Sequence, residues 1–294
     1  MNASARVAAQ AKINLFLDVL ERDARGYHAL ETAFLRIDLA DDVAIRESPG
    51  RSLAVSGPSL PLGGLGPNEK NLAYRAAVAY ADAAGWPSGF SIDLVKRIPA
   101  GAGLGGGSAD AGAVLRALEA LSPTPLGPRL AEIASGLGAD VPFMTIDEPM
   151  ALGSGRGDRV KPIRPLEPRA IVLAVPSFGI STTDAYAWLD ADRSAQSDRP
   201  RPGLAEPVAT WDDAASSAHN DFAAVVARRH PEIATLTERL LGAGASIAML
   251  AGSGSTVFGI FESAPDVASL GFGADVRVIT TRTSDRVERV TVDR

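Results

Sequence analysis

Apolar and polar positions alternate over residues 6–20, with many β-formers, which predicts a strand carrying Ala11-Lys12-Ile13-Asn14-Leu15. A polar turn over 21–26 leads into Tyr27-His28-Ala29-Leu30-Glu31-Thr32 and a second strand to about residue 39, with short strands expected at 42–47 and 52–55. Residues 56–67 are rich in Gly and Pro and read as a surface loop, and 71–84 form an alanine-rich helix stopped by Gly85. Residues 91–98 carry Asp93, Lys96 and Arg97 between apolar positions and read as a strand with one face in solvent. Helices follow at 111–121 and 126–136, and Pro142 biases Val141 towards an extended shape, so Asp140 falls at a helix end or in a turn.

Gly153-Ser154-Gly155-Arg156-Gly157-Asp158 looks like a hinge, dividing the chain into domains 1–155 and 156–294. Beyond it, a buried strand is expected at 170–175, a helix at 182–189 capped by Ser181, and a surface loop at 190–207. Helices at 212–229 and 231–241 precede a strand, loop and strand over 247–261, then a short helix and a last strand at 276–281. Strands and helices are mixed rather than strictly alternating, which gives an α+β fold, and no internal repeat is visible.

A length of 294 residues suits about two domains, and 46% hydrophobic residues supply a sizeable core. Aromatics make up only 5%, so that core must be Ala, Val, Leu and Ile. The absence of cysteine excludes disulfides and thiolate metal sites. A net charge of −6 and a pI of 5.2 argue against a nucleic-acid partner. Lys12 and Asp18 interrupt the apolar stretch near the N-terminus, so no signal peptide is read there. No apolar run is long enough for a membrane span. The expectation is a cytoplasmic protein, monomer or homodimer.

The densest chemical signal is Pro99-Ala100-Gly101-Ala102-Gly103-Leu104-Gly105-Gly106-Gly107-Ser108-Ala109-Asp110, which runs straight into the helix at 111–121. Glycines emptying into a helix leave several N–H groups aimed at one spot, with the positive end of the helix dipole behind them: a phosphate site made of backbone. Ser108 is placed to cap the helix or to face a phosphate oxygen or magnesium. Gly101-x-Gly103-x-x-Gly106 also satisfies the dinucleotide fingerprint, but the charged strand before it does not suit that fold. A P-loop needs a lysine where Gly107 is followed directly by Ser108. A flexible linker is the bland alternative. The full string resembles the phosphate loop of the GHMP kinase superfamily.

Phosphoryl transfer also needs a group to orient the acceptor hydroxyl and take its proton. Lys12, inside an apolar strand, and Asp140, in Gly138-Ala139-Asp140-Val141-Pro142-Phe143, are candidates, since an ammonium beside a carboxylate would hold it ionised. Alternatively Lys12 snorkels to the surface and Asp140 caps a turn. His219 and His230 have no metal spacing and read as structural or surface residues.

The likeness to the superfamily extends beyond the loop. Ala11-Lys12-Ile13-Asn14-Leu15-Phe16-Leu17 and Arg25-Gly26-Tyr27-His28 are similar to the opening of its branch acting on a cytidine-diphosphate-linked methylerythritol. The segments at 138–143, 153–158, 177–182, 219–222 and 252–258 continue that likeness in order, with Gln10 where proline is common as a small departure. The resemblance implies an N-terminal ribosomal-protein-like α+β domain and a C-terminal ferredoxin-like domain. It implies an ATP-dependent kinase of non-mevalonate isoprenoid synthesis, using Mg2+ held mainly by phosphates and water. Asp140 would be the base and Lys12 its partner, and Pro99 to Ala109 would wrap the ATP phosphates. Asn14 would lie near the reacting hydroxyl, with Tyr27, His28 and Tyr186 at the cytosine end. On residue chemistry alone, Tyr27 and His28 equally suit a polar turn, and Tyr186 a core-facing helix position. The loop at 252–256 would give N–H groups to the substrate diphosphate or be a simple hairpin turn.

Overall fold

Two long strands, β1 (Ser4–Arg22) and β2 (His28–Glu47), pair antiparallel and form the spine of an eight-stranded sheet. The computed structural model describes residues 3–22, 26–194 and 208–293. Residues 9–17 of β1 are buried on both faces, so this strand lies inside the core. Register shifts at Gln10/Lys12, Asn14/Leu17 and Val19/Arg22 break its pairing with β2, and such irregularities re-aim side chains. The strand expected at 42–47 is the far half of β2. No gap separates it from the strand expected to end near residue 39: Asp41 is buried against Lys96, and the ladder runs on.

The first half continues with β3 (Arg51–Ser56), α1 (Leu72–Ala84), β4 (Phe90–Val95), α2 (Gly106–Leu121), α3 (Arg129–Leu137), α4 (Val141–Thr145), β5 (Met150–Ser154) and β6 (Arg159–Pro162). Asn71 caps α1 by accepting the Ala73 N–H at 2.9 Å, and Gly85 ends it in the left-handed region. Residues 109–118 of helix α2 are all buried, the helix packing against α1, α4 and β1, which its Ala and Gly residues permit. β5 pairs with β2 and β6 with β5, so the division placed at 155/156 falls in the turn of a hairpin inside the large sheet.

The second half runs β7 (Ala170–Pro176), α5 (Thr182–Ser194), α6 (Trp211–Ser217), β8 (His219–Asn220), α7 (Phe222–Ala227), α8 (Pro231–Gly242), β9 (Ile247–Leu250), β10 (Val257–Phe261), β11 (Val276–Arg282) and β12 (Thr291–Asp293). The helix expected at 212–229 is therefore broken. His219 and Asn220 leave it to pair in parallel with Phe16 and Leu17 of β1. Residues 195–207, most of the expected surface loop, lie outside the described residues.

Four strands form an antiparallel sheet in the order β11-β7-β10-β9, the topology of a ferredoxin-like unit. The two-residue period of β7 splits its side chains between two cores. Ile171 and Leu173 join the main core, while Val172 and Ala174 pack beneath α5, α7 and α8. β12, not foreseen, adds to the edge of β1, so the large sheet takes strands from both ends of the chain.

The strand leading to the glycine loop ends in a charge cluster. Lys96 is buried rather than solvated, 2.6 Å from Asp110 and hydrogen-bonded to Asp41. Asp41 also accepts the N–H groups of Arg97 and Ile98, fixing the backbone where it enters the loop. Burial pushes the Asp110 carboxyl up to about 7, opposed by Lys96 and reinforced by the charge of Asp41. The folded chain thus keeps a proton that the unfolded chain releases between 3.8 and about 7, and stability falls as pH rises through that window. Asp110→Asn is expected to flatten this slope in urea unfolding between about pH 4 and about pH 7; the ceiling for one group is about 1.4 kcal/mol per pH unit. An unchanged slope would remove Asp110 as its source.

Candidate active site

The glycine loop leaves β4 and becomes α2 at Gly106. Gly101, Gly103 and Gly105 have φ of 67°, 80° and 70°, a region open mainly to glycine. Gly105 occupies the N-cap position of α2, not Ser108 as expected. Ser108 is the third helical residue. The N–H groups of Gly106, Gly107 and Ser108 have no intrahelical acceptor and are available to an anion. The loop is tied to β1 by the Lys12 N–H, which donates to the Leu104 carbonyl at 3.0 Å.

A second glycine-bearing loop, 252–254, closes on the first. A Cβ on Gly103 would lie 1.8 Å from the Ala251 carbonyl oxygen, and one on Gly252 would lie 2.9 Å from that of Gly103. The Thr256 N–H donates to the Ala102 carbonyl at 3.3 Å. Asn220 holds this loop by donating to the Leu250 and Gly252 carbonyls at 2.8 and 2.7 Å. The region 252–256 is the turn joining β9 to β10, and its residues Gly252 to Gly254 wall the same cleft.

The cleft encloses about 490 Å³, and Pro99 through Ser108 line it, whereas Ala109 is buried beneath. Lys12, Asn14 and Asp140 also line it. The Lys12 side chain is only 5% exposed; its ammonium lies 3.4 Å from an Asp140 oxygen and donates to Asn14 Oδ1 at 2.8 Å. Asn14 Nδ2 donates in turn to Thr32 Oγ1 at 2.8 Å, and the Thr32 hydroxyl donates to the Phe16 carbonyl at 2.6 Å. This chain fixes which end of the Asn14 amide faces Lys12. Asp140 stands at the N-cap of α4, yet its side chain makes no cap bond. The carboxylate is free of its own helix, paired with Lys12 and 28% exposed towards the cleft. Among the two alternatives left by the sequence, the pair is the one formed.

At the other end of the cleft, Tyr186 of α5 stacks on His28, with centroids 5.2 Å apart, and meets the edge of Phe222 at 4.9 Å. Burial, then the negative charge of Asp140, push the Tyr186 phenol up to about 12. His28 Nδ1 lies 2.8 Å from the Leu20 carbonyl and Nε2 lies 2.9 Å from Asp190. Tyr27 is 57% exposed under the Arg156 guanidinium and does not line the cleft. The structure therefore brings His28 and Tyr186 together, with Tyr186 lining the cleft and His28 behind it, outside the lining, and leaves Tyr27 at the surface.

Sequence reasoning did not find Thr32, Lys96, Asp110 or Asn220. Thr32, Asp110 and Asn220 lie inside motif segments in which the sequence assigns them no role, and Lys96 reads as solvated. His219 and His230 do not reach the cleft lining; they stack on Phe16 and Phe178. Among the described residues no group of three His, Asp or Glu is arranged to hold a metal, and no helix is long and apolar enough to cross a membrane.

The chain is similar to known proteins along nearly its whole length. Residues 71–148 match the GHMP kinases N terminal domain, and residues 206–271 match GHMP kinases C terminal. The 4-diphosphocytidyl-2-C-methyl-D-erythritol kinase of Pelotomaculum thermopropionicum is 40% identical over 94% of this chain and 96% of its own. That of Moorella thermoacetica is 41% identical over 94% and 97%. A crystal structure of 4-(cytidine 5'-diphospho)-2C-methyl-D-erythritol kinase, 36% identical, superposes with a TM-score of 0.73 over 95% of this chain and 98% of its own. A homoserine kinase from Cytophaga hutchinsonii shares the fold at 18% identity, with a TM-score of 0.68 over 100% and 98%. With this identity along nearly the whole chain, and the glycine loop, lysine and aspartate assembled in one cleft, the chain belongs to the 4-diphosphocytidyl-2-C-methyl-D-erythritol kinase family of ATP-dependent GHMP kinases.

Proposed function

We propose that this protein transfers the γ-phosphate of ATP to the 2-hydroxyl of 4-diphosphocytidyl-2-C-methyl-D-erythritol. The observation that carries the reading is the Lys12–Asp140 contact of 3.4 Å in the cleft that the glycine loop walls. The loop's N–H groups and the start of α2 hold the triphosphate. Asp140 orients the acceptor hydroxyl and takes its proton as the oxygen bonds to the γ-phosphorus and the bond to the ADP oxygen breaks. Lys12 places positive charge where negative charge builds up, and Asn14 fixes the direction of that ammonium.

The donor set fits magnesium only with non-protein ligands. The Asp140 carboxylate faces Lys12, Asp110 is buried with Lys96, and Ser108 is the hydroxyl at the helix start. An ion held mainly by phosphates and water, beside Ser108, would neutralise part of the triphosphate charge. The stacked rings of His28 and Tyr186 offer a platform and a polar edge for the cytosine, with Tyr27 able to reach it only from the rim.

Purified protein with ATP and a panel of alcohols, followed by ADP release, tests the reading; turnover on homoserine or mevalonate with no competition by CDP would overturn it. Asp140→Asn is expected to lower kcat by about 10²–10⁴-fold while nucleotide affinity, measured by calorimetry, is kept. Gly103→Ala forces two backbones apart and should weaken ATP binding by at least about tenfold in the same assay. His28→Ala and Tyr186→Ala should each raise KM for the cytidyl substrate while KM for ATP stays within about twofold. Equal rises in both would place these rings outside the acceptor's base site.

A further inference from the structure

Arg36 is the largest fully buried side chain among the described residues, 1% exposed, and has no role in the chemistry above. Its Nη2 donates to the carbonyls of Phe143 at 2.9 Å and Ile146 at 3.1 Å, and its guanidinium lies 5.1 Å from the centre of the Phe143 ring. Those carbonyls are at the C-terminal end of α4, where a helix has no acceptors' partners of its own. Asp140 stands at the N-terminal end of the same helix.

The β-ladder makes this arrangement informative. Arg36 of β2 is directly opposite Lys12 of β1, so both side chains rise from the same face of the sheet. One cross-strand pair therefore grips both ends of α4: Lys12 meets the Asp140 carboxylate, and Arg36 the terminal carbonyls. On its other side α4 has no slack. A Cβ on Gly112 of α2 would lie 2.5 Å from Met144 Cβ, and one on Gly105 would lie 3.1 Å from Met144 Cε.

A buried guanidinium is costly, and an apolar side chain of similar volume fills a core more cheaply. Burial, then the charge of Arg116, pull its pKa down to about 9, and Arg36 Nε has no hydrogen-bond partner among the described residues. Phe34, which stacks on Phe143 at 4.9 Å, shows that this part of the core accepts apolar packing. What hydrocarbon cannot supply is a directed bond to the end of α4.

We infer that Arg36 is a positioning residue for phosphoryl transfer: by clamping the C-terminal carbonyls of α4 it sets where the Asp140 carboxylate stands relative to Lys12 and the glycine loop. This rests on the reading of Asp140 as the proton acceptor.

The test compares Arg36→Met, Arg36→Lys, Gly112→Ala and Asp140→Asn, with rates normalised to sites that bind a non-hydrolysable ATP analogue. Arg36→Met should lower kcat by about 10²-fold, the scale expected for a misplaced reacting group, with KM for ATP within about threefold. Arg36→Lys should recover at least about tenfold of that loss, because an ammonium can donate to the same carbonyls. A purely structural role predicts lower thermal stability with unchanged kcat per binding site and no rescue by lysine. Wild-type kcat in Arg36→Met would overturn the inference. If Arg36→Met does not fold, Gly112→Ala, which presses α4 from the opposite side, decides: wild-type kcat overturns the inference, and lowered kcat with retained nucleotide affinity supports it. Full activity in Asp140→Asn would instead remove the reading on which the inference stands.

Discussion

A lysine buried in the middle of an apolar strand is the constraint on which this site depends. An ammonium taken out of water costs several kcal/mol unless its donors are met, and removing its partner is worse than never having had the pair. Lys12 meets Asn14, two residues along its own strand, and Asp140, which a short helix delivers from the other side of the cleft. The same residue's backbone N–H holds the Leu104 carbonyl in the glycine loop. The Asp140 carboxylate and the glycine loop thus share one anchor in the sheet.

The second constraint is the absence of side chains. Gly103 and Gly252 let two loops, one from each sheet, meet backbone to backbone, and a methyl group at Gly103 would occupy the space of the Ala251 carbonyl. Main-chain walls of this kind present N–H groups with little freedom to reorganise, which suits an anion whose charge is spread over several oxygens. The charge cluster of Asp41, Lys96 and Asp110 fixes the loop's entrance, as α2 fixes its exit.

What the sequence disclosed and what it hid divide along physical lines. Lys12 stood out because it is the wrong residue for an apolar strand, and the loop because five glycines in seven positions run straight into a helix. Residues 91–98 misled. Lys96 looks solvated beside Asp93 and Arg97, and the carboxylates that bury it come from residues 41 and 110. The break at His219 and Asn220 was invisible because an alanine-rich stretch on both sides has helical propensity, while the pairing partner lies some two hundred residues earlier. Ser108 has the residue type of an N-cap, but a glycine in the left-handed region starts the helix three residues sooner. The local pattern carries propensity, and long-range charge pairing overrides it.

The two ends of the cleft are held by different kinds of bond. Where the triphosphate would lie, the walls are stitched by main-chain contacts and by Asn220, none of which depends on the identity of an exposed side chain. Where an acceptor's base would lie, the walls are rings resting on rings: Tyr186 between His28 and Phe222. Substitution can recarve the second end without disturbing the first. A scaffold divided in this way separates the choice of alcohol from the machinery of transfer, and a protein named for homoserine folds on the same plan.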